Sequence, residues 1–113
     1  MARLWDMLDA AESIAGFVRG KCLDDYLSDR MLRGAVERHL EIIGEAAKHV
    51  SPAFRDAHPE IPWKPIIAQR NVLTHEYGEI RHERIWAVCA AQLPTLIRAL
   101  KKLGVEDASE TDT

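Results

Sequence analysis

Hydrophobic side chains recur with helical spacing through the first half of the chain. Residues 3–18 place them on one stripe with polar residues opposite, and Gly20 marks the expected end of this helix. A second stripe of the same period predicts a helix that begins near Ser28, after an acidic turn, and stops before Ser51. The first half is therefore predicted to form two long amphipathic helices.

Prolines divide the second half of the chain. Four of the five lie within residues 51–65, which predicts a connector containing one short helical turn. A third helix is predicted from about Pro62 toward Gly78, and a fourth over residues 82–103. Pro94 lies inside the fourth helix and is expected to kink it, because proline has no backbone N–H to donate.

These patterns predict an all-α antiparallel bundle of four to five helices. Strand-like alternation and internal repeats are absent from the sequence, and 113 residues suffice for one domain, placed at residues 1–103. Residues 104–113 form an acidic tail that is expected to be disordered. The tail holds four acidic and no basic residues, so the body carries +1 of a net charge of −3. Broad electrostatic affinity for nucleic acid is therefore not expected.

Composition also excludes several classes of protein. No apolar run approaches the roughly 18 residues of a membrane span, and acidic residues near Met1 are unlike a signal peptide, so a cytoplasmic protein without membrane contact is expected. Cys22 and Cys89 form no C-x-x-C pair, which disfavours a zinc finger and a disulfide framework. No glycine-rich phosphate loop is present, so a nucleotide cofactor has no support and no cofactor is predicted. No metal is predicted either.

Arg70 falls on the apolar side of the third predicted helix. On a helical wheel of about 100° per residue, its position lies among those of Trp63, Ile66 and Leu73. A buried, unpaired guanidinium is costly, so this position requires either a paired carboxylate or a site that an anionic ligand occupies. The simpler interpretation, that Arg70 reaches solvent or pairs within the chain, stays open.

His75 lies on a flank of the same helix, one turn from Asn71, which is placed to orient the imidazole. It is about 140° around the helix from Arg70, too far for both side chains to hold one phosphate from the same face. Two arrangements resolve this separation: the helix unwinds before Gly78, or a second copy of the chain supplies the opposing half of the site. The second arrangement favours a two-fold dimer with composite clefts.

An arginine and a histidine without a nucleophilic serine or cysteine suit metal-free cleavage of RNA. The histidine takes the proton of the ribose 2′-OH, and the arginine stabilises charge on the phosphoryl oxygens, which leads to 2′,3′-cyclic phosphate ends. DNA lacks that hydroxyl and is not an expected substrate. The pair Arg70 and His75 is therefore predicted to be catalytic, with Asn71 in support.

A metal site is the competing hypothesis for this region. His75, Glu79, His82 and Glu83 would share one side of an uninterrupted helix. Gly78 argues against such continuity, and the H-E-x-x-H motif is absent. His82 is alternatively a cap of the last helix.

The remaining polar residues of the second helix have simple interpretations. His39 is expected to be a satisfied core residue. Glu37, Glu41 and Glu45 are expected to line a solvated face, although Glu45, beside Gly44, could reach a cation of a partner chain.

The motif residues resemble a known family. The run from Arg70 to Tyr77, RNVLTHEY, fits the R-x(4–6)-H-x-Y pattern of the HEPN superfamily, and its RN-x-L-x-H-x-Y form is similar to the HepT branch. The resemblance covers about residues 1–103. Further matching segments occur in the same order at residues 40–47, at residues 58–63, at Ile85-Trp86 and at Leu93-Pro94.

This resemblance implies a helical-bundle ribonuclease toxin that works as a homodimer and is encoded beside a minimal nucleotidyltransferase antitoxin. In that family the residues matching Arg70 and His75 are the catalytic pair, and the polar residue matching Asn71 is commonly important. The residue matching Tyr77 is where the partner attaches AMP to silence the toxin.

Two alternatives come from other classes of protein. A catalytically silent binding module would form a complex with the nucleotidyltransferase and present Tyr77 for modification. The near-neutral body and acidic tail mildly favour this module, whereas the intact Arg70, Asn71, His75 and Tyr77 favour the enzyme. A generic helical adaptor would leave an arginine on the apolar face unexplained.

Overall fold

The computed structural model describes residues 2–75 and 81–105, and their side chains except those of residues 71–75. This part of the chain is helical and contains no strand, which confirms the predicted all-α class. Within it, no helix has both the length and the hydrophobicity needed to cross a membrane. The elements are α1 (Ala2–Val18), α2 (Leu23–Ser28), α3 (Arg30–Lys48), α4 (Pro52–Ala57), α5 (Trp63–His75), α6 (His82–Ala87), a π-helical segment (Val88–Gln92) and α7 (Leu93–Lys102).

The core forms mainly between α1 and α3, with α7 packed against α1. Met7, Leu8 and Ile14 of α1 are completely buried, as is Val36 of α3. Full burial of each large aliphatic side chain contributes about 1.5 to 3 kcal/mol of transfer free energy. The stripe predicted on the first helix is therefore the face that holds the bundle together.

The acidic turn predicted before α3 is itself a short helix, α2. At the N-terminus of α2, the backbone N–H of Cys22 donates a hydrogen bond of 2.9 Å to Asp25 Oδ2. The next helix begins at Arg30 rather than near Ser28, and Asp29 caps it by accepting a hydrogen bond of 3.0 Å from an amide of the first turn. This local side-chain bonding divides the segment into two helices.

The proline-rich connector delivers the chain to α5. Ser51 caps α4, as its hydroxyl accepts from the backbone N–H of Phe54 at 3.1 Å. Trp63, the first residue of α5, is almost fully buried, and its indole Nε1 donates to the His58 carbonyl at 2.9 Å. The ring thus anchors the start of α5 to the connector, and α5 packs chiefly against α3.

The last predicted helix stays helical through Pro94 but changes its winding. The backbone N–H of Leu93 donates to the carbonyl of Val88, five residues earlier, within the π-helical segment. A π-helical turn commonly absorbs a disruption of the α-helical hydrogen bonds. The sequence predicted a kink at Pro94, and the structure has a wider, π-helical turn immediately before this proline.

Candidate active site

Arg70 lies where α5 passes closest to α3. A Cβ atom built on Gly44 of α3 would overlap Cβ of Arg70 and would lie 3.2 Å from the carbonyl oxygen of Ile66. Any side chain at position 44 would therefore push the two helices apart. The glycine is required here by close packing, since its backbone is in the ordinary helical region.

Glu45, the residue after this glycine, forms an ion pair with Arg70. Arg70 Nη2 lies 3.0 Å from Glu45 Oε2, and His49 Nε2 lies 3.7 Å from the other carboxylate oxygen. The Arg70 side chain keeps 22 % of its surface exposed. The structure thus supplies the carboxylate that the position of Arg70 requires, and it leaves part of the guanidinium accessible. Glu45, proposed from the sequence to reach a partner chain, pairs within its own chain.

A cleft of about 300 Å³ opens beside Arg70, bounded by α1, α3 and α5. We call it the arginine cleft because three arginines line it. Its lining also includes three carboxylates, so the charges of the described lining residues balance. The lining residues are Arg3, Asp6, Arg38, Glu41, Ile42, Glu45, Ala46 and Arg70.

A second cavity, of about 160 Å³, lies between α3, α5 and the last helical region. Its walls are mostly aliphatic, with Leu40 and Ile43 on one side and Leu93 and Leu96 on the other. None of the described residues that line it is charged, so these residues offer no group for proton transfer or ionic binding of an anion. The arginine cleft is therefore the better candidate for chemistry.

The other predicted site residues can be placed only by the backbone. The helix α5 continues without interruption from Arg70 to His75, so these two positions remain about 140° apart around its axis. Asn71 lies one turn before His75 on the same helix. Tyr77 and the acidic tail from residue 106 onward lie outside the described residues, as do the side chains of Asn71 and His75.

The metal hypothesis required His75 and His82 to share one helix. Arg81 has an extended backbone, and α6 begins only at His82, so the two histidines belong to different helices. His82 Nδ1 lies 3.7 Å from Glu37 Oε2. Across residues 2–75 and 81–105, wherever side chains are described, no three potential ligands cluster around a common point.

Two other predictions for α3 had different outcomes. His39 is satisfied as expected: its Nδ1 lies 2.8 Å from the carbonyl oxygen of Ala35, and its ring packs edge-on against Phe17. Glu37, however, is not simply solvated, because its side chain is only 24 % exposed. This burial raises the pKa of its carboxyl, although the neighbouring His82 acts in the opposite direction. His82 is the first residue of α6 and makes no cap, since the capping position is Arg81.

Sequence reasoning missed Arg3 and Arg38 as residues of the arginine cleft. The sequence pattern did not single out Arg38, and Arg3 lies 67 positions before Arg70 in the chain. No local spacing connects them, because α1, α3 and α5 meet only after folding. The sequence signal that does point to this place is the pair Gly44-Glu45 within the HepT-like segment.

Comparison with known proteins identifies a family for this chain. The chain matches the family described as "Ribonuclease HepT-like" over residues 7–103. "Probable ribonuclease HepT" of Thermococcus cleftensis is 38 % identical over 100 residues, which cover 88 % of this chain and 91 % of the relative. "Putative RNase MJ1380" of Methanocaldococcus jannaschii is 34 % identical over 95 residues, covering 84 % and 87 % respectively. No solved structure matches the chain significantly.

The match extends across nearly all the described helices and includes the segment that carries Arg70, Asn71 and His75. One family therefore accounts for both the helical fold and the predicted motif. The chain belongs to the HepT-like ribonuclease family.

Proposed function

We propose that this protein is a metal-independent endoribonuclease toxin that cleaves RNA with Arg70 and His75. The observation that carries the proposal is the placement of Arg70, a partly exposed guanidinium held by Glu45 at the edge of a cleft. The names of the relatives, "Putative RNase MJ1380" and "Probable ribonuclease HepT", support the same activity. Arginine is suited to this task because its planar fork of donors matches phosphate oxygens.

The reaction needs one base and one anion-stabilising group. His75 removes the proton of a ribose 2′-OH, and the 2′ oxygen attacks the adjacent phosphorus. The bond to the 5′ oxygen breaks, and that oxygen receives a proton as it leaves. Arg70 stabilises the negative charge that develops on the phosphoryl oxygens. The products are a 2′,3′-cyclic phosphate and a 5′-hydroxyl end, and Asn71 acts as a supporting residue of the site.

The active form is a homodimer with composite sites. On the uninterrupted helix α5, the positions of Arg70 and His75 are about 140° apart, so one copy presents them to different sides. Two chains related by a two-fold axis can each supply one of the two groups to a shared cleft. This arrangement needs no unwinding of α5 between the two residues.

Cleavage of single-stranded RNA by the purified full chain tests the activity. Cleavage should persist in EDTA and should leave 2′,3′-cyclic phosphate ends. His75→Ala and Arg70→Ala should each lose at least ~10²-fold in rate, because each removes a group that acts in the transition state. Circular dichroism and thermal unfolding of each variant serve as the folding control.

Three results would contradict this proposal. Activity lost in EDTA and restored by a divalent ion would revive a metal site. Full activity in either alanine variant would exclude that residue from the chemistry. In light scattering, the chain should have about twice the 12.8 kDa of one copy, and an active monomer would exclude the composite site.

A minimal nucleotidyltransferase partner controls the toxin through Tyr77. The tyrosine oxygen attacks the α-phosphorus of ATP, the adenylyl group is transferred, and pyrophosphate leaves. Tyr77 follows His75 by two residues, so the attached anion lies close to the predicted catalytic segment. An added phosphate would compete with RNA for Arg70 through charge pairing.

Incubation with the partner and ATP should add AMP to the peptide that contains Tyr77, and it should abolish RNA cleavage. Tyr77→Phe should cleave RNA and escape this inactivation. If the variant is still silenced, inhibition comes from occlusion or from another modified residue. If the wild-type chain is modified but never cleaves RNA, the chain is a silent binding module for its partner.

A further inference from the structure

Besides Arg70, the arginine cleft contains two further arginines that the proposed reaction does not use. Arg3 extends from the first turn of α1, and Arg38 from the middle of α3, and both are exposed. Both line the same cavity as Arg70. A substrate that reaches Arg70 from this side must therefore pass close to them.

We propose that the arginine cleft binds the sugar-phosphate backbone of the RNA, with Arg38 and Arg3 contacting phosphates beside the one held by Arg70. This inference rests on the proposed ribonuclease activity and names the path of its substrate. Guanidinium groups bind phosphate oxygens bidentately, which gives both affinity and orientation. Contacts to phosphates position a strand without reading its sequence.

Spacing along α3 supports this path. Arg38 precedes Glu45 by seven residues, so the two positions lie about two turns, or ~10 Å, apart along the helix. Glu45 holds Arg70 at its end of the cleft, so Arg38 marks a second cationic point further along. A single strand lying along α3 would meet the two arginines at different phosphates.

The carboxylates of the cleft set how strongly it binds. Glu41 lies 3.4 Å from Arg38, and the Arg38 side chain is 70 % exposed. The Glu41 side chain is 24 % exposed, so solvent reaches the pair mainly from the Arg38 side. An ion pair with an exposed guanidinium contributes little to stability, so a phosphate can replace the carboxylate as the partner of Arg38. Glu41 also repels the strand, because it places a negative charge beside the same phosphate. The cleft therefore binds RNA through exchange of ion-pair partners.

This exchange can be tested with two variants that should change RNA affinity in opposite directions. Arg38→Gln and Glu41→Gln both remove the same ion pair, so a purely structural role predicts similar effects from the two variants. Under the proposal, Arg38→Gln weakens RNA binding about 3- to 10-fold at low salt, and Glu41→Gln strengthens it severalfold. Arg38→Gln should also lower the slope of log affinity against log salt by about 0.7, the value for one phosphate contact on a single strand.

The probe is a single-stranded 2′-O-methyl RNA, which cannot be cleaved through its 2′ oxygen, and binding to the full chain is followed by fluorescence anisotropy. A cleavable RNA of the same sequence gives kcat and KM, and the effect of Arg38→Gln should fall mainly on KM. Arg3→Gln should weaken binding in the same direction. Arg98→Gln, an exposed arginine of α7 outside the cleft, is the matched control and should leave binding unchanged.

The outcomes separate the two proposals. If RNA is cleaved but Arg38→Gln and Glu41→Gln shift affinity in the same direction, or no more than Arg98→Gln does, the arginine cleft is not the RNA path. If the shifts have opposite signs but no RNA is cleaved, the cleft binds RNA and the proposed activity fails. If the wild-type chain neither binds nor cleaves RNA, both proposals fail, and an acidic protein segment becomes the class of ligand to examine.

Discussion

The helix α3 takes part in two contacts of opposite character. Against α1 it builds a core in which residues such as Leu8 and Val36 are completely buried. Against α5 it presents Gly44, which allows close approach, and then Glu45, which holds Arg70. The first contact excludes water from aliphatic groups, whereas the second places a charge beside an open cleft.

This difference separates the parts of the chain that hold the fold from those that shape the site. Aliphatic packing has little directional preference, so many side chains of similar volume satisfy the α1–α3 contact. The α3–α5 contact depends on one missing Cβ and on one ion pair of 3.0 Å. Mutations in the first contact should change stability alone, whereas mutations in the second should also change activity.

Leu8→Ala should give the largest loss of stability. The side chain is completely buried in the core, and its truncation removes burial and leaves a cavity, so we expect a loss of about 2 to 5 kcal/mol. Urea unfolding measures this loss. RNA cleavage per folded molecule should stay near the wild-type rate, and a large change in that rate would show that the two contacts are not separable.

Gly44→Ala should cost about 1 to 3 kcal/mol of stability, because the added methyl group overlaps Arg70 and forces α3 and α5 apart. Cleavage should fall at least ~10-fold, since the displacement moves the guanidinium from its site. Gly34→Ala on the same helix is the matched control. Apart from the local helix backbone, no described atom lies within 4 Å of a Cβ built there, so the alanine should stabilise the helix by about 0.5 to 1 kcal/mol. Equal behaviour of the two variants would contradict the close approach.

Glu45→Gln should alter activity with little change in stability. Its carboxylate is 44 % exposed, so the ion pair contributes less than about 1 kcal/mol. As a positioning residue for Arg70, its loss should lower kcat roughly 10-fold, with Glu45→Asp restoring part of the rate. Glu60→Gln, which removes a carboxylate from the connector, is the control and should leave kcat unchanged. An unaffected kcat in Glu45→Gln would show that Arg70 needs no support.

Glu37→Gln should have the smallest effect, which is a change in how stability depends on pH. Burial raises the pKa of its carboxyl above the ordinary value of 4.5, so the folded state retains its proton to higher pH than the unfolded state. Stability attributable to this group therefore falls as pH rises through that range. Glu37→Gln should therefore gain stability relative to the wild type as pH rises above about 4.5, and urea unfolding at a series of pH values measures this gain. Cleavage should be unchanged, because Glu37 does not line the arginine cleft.

The long helices were predictable from the sequence, whereas the local changes within and between them were not. The periodic stripes identify α1, α3 and the last helical region because amphipathic helices repeat their burial every 3.6 residues. The division into α2 and α3 was missed, since it depends on side-chain bonds of Asp25 and Asp29 to particular backbone N–H groups. The π-helical turn before Pro94 was missed as well, because a proline can be absorbed by a kink or by a wider turn.

The sequence by itself determined that Arg70 lies on an apolar helix side, where it needs a carboxylate, an anionic ligand or access to solvent. It also determined that Arg70 and His75 are about 140° apart around the helix axis, because this angle depends only on their spacing within one helix. Only the tertiary structure decided that the carboxylate is Glu45 and that Arg38 shares its cleft. Those contacts join helices distant in sequence, and they depend on the point where α3 and α5 pass each other. Helical periodicity encodes which side of a helix is buried, but it does not encode that point.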